Sequence, residues 1–321
     1  MDIEKIHGLI AAAYTPMDGD GAVNLRVIPK LAEHYLQAGL QGTFICGTTG
    51  EFSSLRVDER KAIAQAWIAA RDPSLKVLIH CGDDCLDHAC NLARHAQEIG
   101  ADSVASMAPR FFKPDVGQLI AYLGQIAQSA PHLPFYYYHT PATTGLTFSA
   151  CDFLEQAADQ IPNLAGIKFT HENLMDYRLC LQVKQGRFDI LFGRDEMFLG
   201  AWATGARGGV GSTYGFAYQA YQSIIDSLAS GDLVEAQVQQ GRVCRLIALM
   251  KKYRGLVGAK AIMGLLAVDC GPVRQPLKQL NLSEREQLVE DLNQIGWTCS
   301  EMFQPCGDVE HAGAVGASTI P

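Results

Sequence analysis

Lys168 closes the apolar run Leu164-Ala165-Gly166-Ile167, so the sequence sets an amine at the tip of what reads as a buried strand. Tyr138 stands in the same relation to Pro134-Phe135-Tyr136-Tyr137, and Thr48-Thr49 follow Thr43-Phe44-Ile45-Cys46-Gly47. An amine can form a Schiff base, a phenol can move a proton, and a turn of hydroxyls and glycines can hold an anion. Together these are the parts of a carbon–carbon lyase site.

Each part has a plainer alternative. Lysine is nucleophilic only when neutral, and a free pKa near 10.4 leaves little neutral amine at pH 7. Lowering that pKa by roughly 3 takes about 4 kcal/mol of differential solvation, which burial between Ile167 and Phe169 would supply. The plainer alternative is a lysine at a strand end snorkelling to solvent. Tyr138 competes with an ordinary aromatic core run, a description that suits Tyr136 or Tyr137 better. Neighbours on a strand face opposite ways, so one of the three tyrosines must point inward.

Gly47-Thr48-Thr49-Gly50-Glu51 offers close backbone approach, two hydroxyls and successive N–H groups ahead of a helix expected over Leu55–Ala69, an anion-binding arrangement. Gly193-Arg194-Asp195-Glu196 and Ser212 end two further apolar runs, where carboxylates and a hydroxyl can accept hydrogen bonds from a polyol. Acids answering a helix dipole explain that pair equally well. His80, Cys81, Asp83, Asp84, Cys85, Asp87, His88 and Cys90 have metal-like composition, but their spacing follows no zinc pattern, and no metal is expected.

These positions share a pocket only if the runs they end converge. Strand-like runs occur at Gly8–Tyr14, Gly42–Cys46, Lys76–Cys81, Asp102–Met107, Pro134–Tyr138, Leu164–Lys168, Phe188–Phe192 and Arg207–Gly211. Segments with helical spacing separate them, such as Ile28-Leu31-Tyr35-Leu36 and Ile63-Trp67-Ile68. Eight strand–helix units in roughly 230 residues fit an α/β fold closed into a (β/α)8 barrel better than an open sheet. After Ser212 helices alone are expected: Tyr218–Leu228, Leu233–Lys252, Lys260–Val268, and one near Leu288–Ile295 opened by the capping box Ser283-Glu284-Arg285-Glu286. The resulting organisation is a barrel over 1–230, a helical extension packed on it over 231–299, and a poorly ordered Gly/Ala-rich tail over 300–321.

Composition agrees with a large globular core: 48% hydrophobic and 19% charged residues in 321. A formal net charge of -8 argues against nucleic acid or an anionic membrane as the main partner. Acidic residues near the N-terminus and the absence of a long apolar stretch argue against a secretory signal or a membrane span. The ten cysteines are scattered, as for reduced thiols in the cytoplasm.

Taken together, several stretches resemble the class I pyruvate aldolase family that contains dihydrodipicolinate synthase and N-acetylneuraminate lyase. They are Gly47 to Glu51, Tyr136 to Gly145, Gly166-Ile167-Lys168, Phe192 to Glu196, Val210 to Tyr214 and Lys260 to Met263, and the likeness reaches about Ile295. The family's lysine-biosynthesis branch expects an arginine two residues after Pro141, where this chain has Thr143; its sialic acid branch expects an Asp-Glu pair and a serine, matched by Asp195, Glu196 and Ser212. The chain departs from many relatives at Phe111, where some members carry a tyrosine donated to a neighbouring subunit's site; Arg110 and Arg194 have no assigned part.

The resemblance implies cleavage of open-chain N-acetylneuraminate to N-acetylmannosamine and pyruvate, with no metal or diffusible cofactor. It implies a Schiff base on Lys168, proton transfer by Tyr138 assisted by Thr48, and a carboxylate held by Thr48-Thr49. Thr170, Gly193, Asp195, Glu196 and Ser212 then bind the sugar part, in a homotetramer. Two rivals stand beside it: a dihydrodipicolinate synthase or other 2-keto sugar acid aldolase, and a catalytically silent barrel with a binding role.

Overall fold

Parallel strands need a crossover to return the chain to its starting edge, and every apolar run here is followed by one. The computed structural model describes residues 3–266 and 268–302. Its strands are β1 (Gly8–Ala12), β2 (Gly42–Ile45), β3 (Lys76–His80), β4 (Ser103–Met107), β5 (Phe135–His139), β6 (Leu164–Phe169), β7 (Asp189–Phe192) and β8 (Gly208–Gly211). They pair in sequence order, and β8 returns to β1 to close the barrel. The crossovers carry α1 (Ile28–Gln37), α2 (Val57–Ala70), α3 (Leu86–Glu98), α4 (Val116–Gln128), the single turn α5 (Pro141–Thr144), α6 (Ala150–Ala157), α7 (Leu174–Cys180) and α8 (Phe198–Thr204). The fold is the expected (β/α)8 barrel, and each expected strand ends within two residues of the observed one.

Alternation divides the core in two. Ile10, Phe44, Leu78, Met107, Tyr136, Tyr138, Leu191 and Val210 fill the barrel interior. Leu9, Ile45, Val77, Val104, Tyr137, Ile167 and Phe169 face the helices. Two of the three tyrosines on β5 therefore point inward, and they end at different depths: Tyr136 donates to Asp189 at 2.8 Å, at the start of β7, while Tyr138 stands at the outgoing end.

Strict alternation does not place Lys168. The β5–β6 register runs Phe135 to Leu164 and then Tyr136 to Gly166, so β6 holds one extra residue at Ala165. Ala165 points inward, and counting by twos from it would send Lys168 outward. The bulge resets the phase, pairs Lys168 with Tyr138, and brings the amine into the barrel.

After β8 come α9 (Tyr214–Ser230), α10 (Leu233–Lys252), α11 (Leu256–Leu265), α12 (Leu282–Gln294) and the turn α13 (Cys299–Met302). α10 has the expected limits; α9 starts four residues earlier than Tyr218, and α11 overlaps the expected Lys260–Val268 but begins at Leu256 and ends at Leu265. The capping box is also displaced: Asn281, not Ser283, caps α12 and exchanges bonds with Glu284, because the apolar Leu282 is already helical. The expected 300–321 tail lies outside the described residues from 303 onward.

Candidate active site

The outgoing strand ends of a closed parallel barrel share one mouth, and here their loops meet in one cavity. Every residue given a catalytic or substrate-binding part in the sequence lines it: Thr48 and Thr49 after β2, Tyr138 on β5, Lys168 on β6 with Thr170 just beyond, Gly193, Asp195 and Glu196 after β7, and Ser212 after β8.

Lys168 is 5% exposed. Its Nζ lies 3.8 Å from the Phe44 ring centre and 4.2 Å from that of Tyr138. Desolvation dominates over these contacts and over the opposing charge of Asp195, and brings its pKa down to about 7. The amine is thus available as a nucleophile near neutrality. The Tyr138 hydroxyl is 3.3 Å from Thr48 Oγ1. Burial raises the phenol's pKa, and the Thr48, Thr170 and Thr140 hydroxyls offset part of the rise.

Close backbone approach shapes the far side. A Cβ on Gly193 would overlap the buried Thr170 Oγ1. A Cβ on Gly211 would overlap both Asp195 and the Tyr214 ring. Asp195 Oδ2 accepts from Thr213 N at 3.1 Å and Thr213 Oγ1 at 2.7 Å, and burial raises its pKa to about 6 despite those bonds. It is anchored as well as cavity-facing. Glu196 is more open, with Arg194 at 3.5 Å and Lys251 at 3.7 Å.

Other lining residues had no site assignment in the sequence. Thr213 could have been suspected as a hydroxyl beside Ser212. Ala12 and Val210 line the barrel side, and Ile247 and Met250 reach the cavity from α10. Their helical spacing signals an apolar face and says nothing of what it covers. Arg194 also lines the cavity and pairs with Glu172, outside the lining.

One expectation changes. The turn at Gly47–Glu51 runs into a short 3-10 segment, Phe52–Ser54, and α2 starts only at Val57, so the expected helix N-terminus does not stand directly behind the turn. The metal-like cluster disperses: His80 bonds the Cys46 carbonyl, Asp83 pairs with Arg60, and Asp84 pairs with Arg110, which also stacks on Phe52. Among the described residues no three His, Cys, Asp or Glu side chains converge. Phe111 is 80% exposed and packs edge-on against Phe112.

Fold and pocket define a (β/α)8 barrel whose outgoing mouth centres on a desolvated lysine amine. The chain belongs to the Dihydrodipicolinate synthetase family, whose profile matches residues 5–295. It is 40% identical to the N-acetylneuraminate lyase of Xenopus tropicalis over 280 residues, 85% of this chain and 91% of that one. Among solved structures it resembles the N-acetylneuraminate lyase of Proteus mirabilis, with TM-score 0.90, 35% identity, and 92% and 100% of the two chains covered. The sialic acid aldolase of Aliivibrio salmonicida gives TM-score 0.90 at 37% identity, covering 92% and 99%.

Proposed function

We infer that this pocket reversibly cleaves N-acetylneuraminate to N-acetylmannosamine and pyruvate through a Schiff base on Lys168. The observation that carries the reading is the buried Lys168 amine, with pKa about 7, paired across the β5–β6 ladder with Tyr138. Similarity to named lyases supports the substrate.

In this scheme neutral Lys168 adds to the C2 carbonyl of the open-chain sugar acid, and loss of water gives an iminium. The C3–C4 bonding pair moves toward that iminium and leaves an enamine on Lys168. C4 becomes the aldehyde of N-acetylmannosamine as its hydroxyl proton departs. Tyr138 is a neutral phenol near pH 7, so it takes that proton while passing its own onward; Thr48 Oγ1, at 3.3 Å, is within relay distance. Protonation of the enamine at C3 and addition of water release pyruvate and restore the amine. The Thr48-Thr49 turn holds the keto acid carboxylate, while Thr170, Gly193, Asp195, Glu196 and Ser212 receive the polyol part. The iminium is the electron sink, so the scheme uses no metal or diffusible cofactor.

Thr143 favours this substrate over a second carboxylate, because a hydroxyl cannot grip one in the bidentate manner of arginine. An aldehyde screen with pyruvate tests the choice. Expected is condensation with N-acetylmannosamine at least tenfold faster than with aspartate semialdehyde; the reverse order would assign the chain to dihydrodipicolinate synthesis. A cytoplasmic homotetramer belongs to the same proposal. It is supported by the exposed Phe111–Phe112 pair and by free thiols at all nine cysteines in the described residues. Sedimentation at the mass of four chains is expected, and a monomer at micromolar concentration would contradict it.

A further inference from the structure

The turn that cradles the carboxylate in this reading has little to hold it by packing. Between Cys46 and Phe52 it carries glycines, two threonines and a glutamate, with no large apolar side chain. Two of its non-glycine residues adopt left-handed backbone, Cys46 with φ 52 and Glu51 with φ 57. Such backbone persists only where the surroundings over-determine it.

Polar anchors do so here. The Cys46 carbonyl accepts from His80 Nδ1 at 2.9 Å, and the Gly50 carbonyl accepts from Thr15 Oγ1 at 2.7 Å. Glu51 is gripped through both oxygens: Lys260 Nζ donates to Oε1 at 3.0 Å and the Arg274 backbone N–H donates to Oε2 at 2.8 Å. The Lys260 and Glu51 side chains are each 2% exposed, and they lie 209 residues apart in the chain. Lys260, on α11, also donates to the Pro272 carbonyl at 2.5 Å. The Arg274 guanidinium continues past the turn, to Ser54 O at 2.7 Å and Glu59 at 2.6 Å.

A buried ion pair is a weak device for stability, since apolar groups of the same size do as well or better. What it supplies is direction, and the element it directs is the carboxylate cradle. Burial pulls the Lys260 pKa down and Glu51 pushes it back up. We propose that Lys260 is a positioning residue for catalysis, which through Glu51 holds the Thr48-Thr49 turn in the shape that receives the keto acid carboxylate. The assignment rests on the aldolase reading above. It makes the C-terminal helices part of the pyruvate site although α11 contributes nothing to the cavity lining.

The test compares pyruvate with methyl pyruvate, which offers the same ketone without the carboxylate. Adducts on Lys168 are trapped with cyanoborohydride and half-saturating concentrations are read for the parent chain, Lys260→Met, and the double variant Lys260→Met/Glu51→Gln. The double variant leaves no unpaired buried charge and keeps the comparison open if the single one fails to fold. Expected is a rise of tenfold or more in half-saturating pyruvate, no more than twofold change for methyl pyruvate, and a maximal trapping rate within twofold of the parent. Equal weakening toward both ketones, or an unchanged preference for pyruvate, would overturn the positioning role alone. Absence of any adduct in the parent chain would overturn the aldolase reading, and this assignment with it.

Discussion

At the scale of single residues, the cost of burying the Lys168 amine inside the barrel has a sign that can be measured. Its folded pKa, about 7, lies below the ordinary lysine value, so between about 7 and 10.4 the unfolded chain binds the extra proton. The penalty on stability is therefore full below pH 7 and fades as pH rises toward 10.4. Lys168→Met keeps the stem and removes the amine. It is expected to raise stability by about 2–4 kcal/mol at pH 6, with a Tm advantage that shrinks as pH rises. A melting series over that range checks it, and a lower Tm at pH 6 would contradict the desolvation argument. Lys168 and Tyr138 were legible because each ends an apolar run. Asp195 was legible only as a candidate, because an acid after a strand serves a ligand, a dipole or an anchor equally well. Its bonds to Thr213, which no spacing announces, make it an anchor too.

Among elements, the strands were readable almost to the residue, since eight apolar runs separated by amphipathic segments leave few other arrangements. The bulge at Ala165 was not readable, although it turns Lys168 inward. Strand phase is a property of pairing between β5 and β6, and neither run contains it alone. Helix ends shifted for a related reason: α12 begins at Leu282 because Asn281 meets Glu284 in space, and Ser283 offered an equally good local pattern. The β6 and β7 loops approach each other so closely that Gly193 has no room for a side chain beside Thr170. Gly193→Ala is therefore expected to lower kcat/KM about tenfold or more by displacing the Thr170 hydroxyl, with a cooperative melt retained. Steady-state kinetics beside a melting curve decide it, and unchanged kcat/KM would mean the close approach has no part in turnover.

For the molecule as a whole, the division into barrel and extension understates how they share one site. Ile247 and Met250 of α10 line the cavity, and Lys260 of α11 grips the turn after β2. Sequence patterns show amphipathic helices there, yet which surface they cover depends on packing across more than two hundred residues. All of this converges on one covalent event at one amine. Cyanoborohydride reduction in the presence of pyruvate, followed by peptide mass spectrometry across pH 5 to 9, tests it most directly. The expected result is a pyruvate adduct on Lys168 alone, forming about tenfold more slowly for each pH unit below 7 and levelling above it. Tyr138→Phe should retain that adduct while losing turnover. An adduct on a different lysine, no adduct at all, or a rate still climbing steeply at pH 9 would contradict the account.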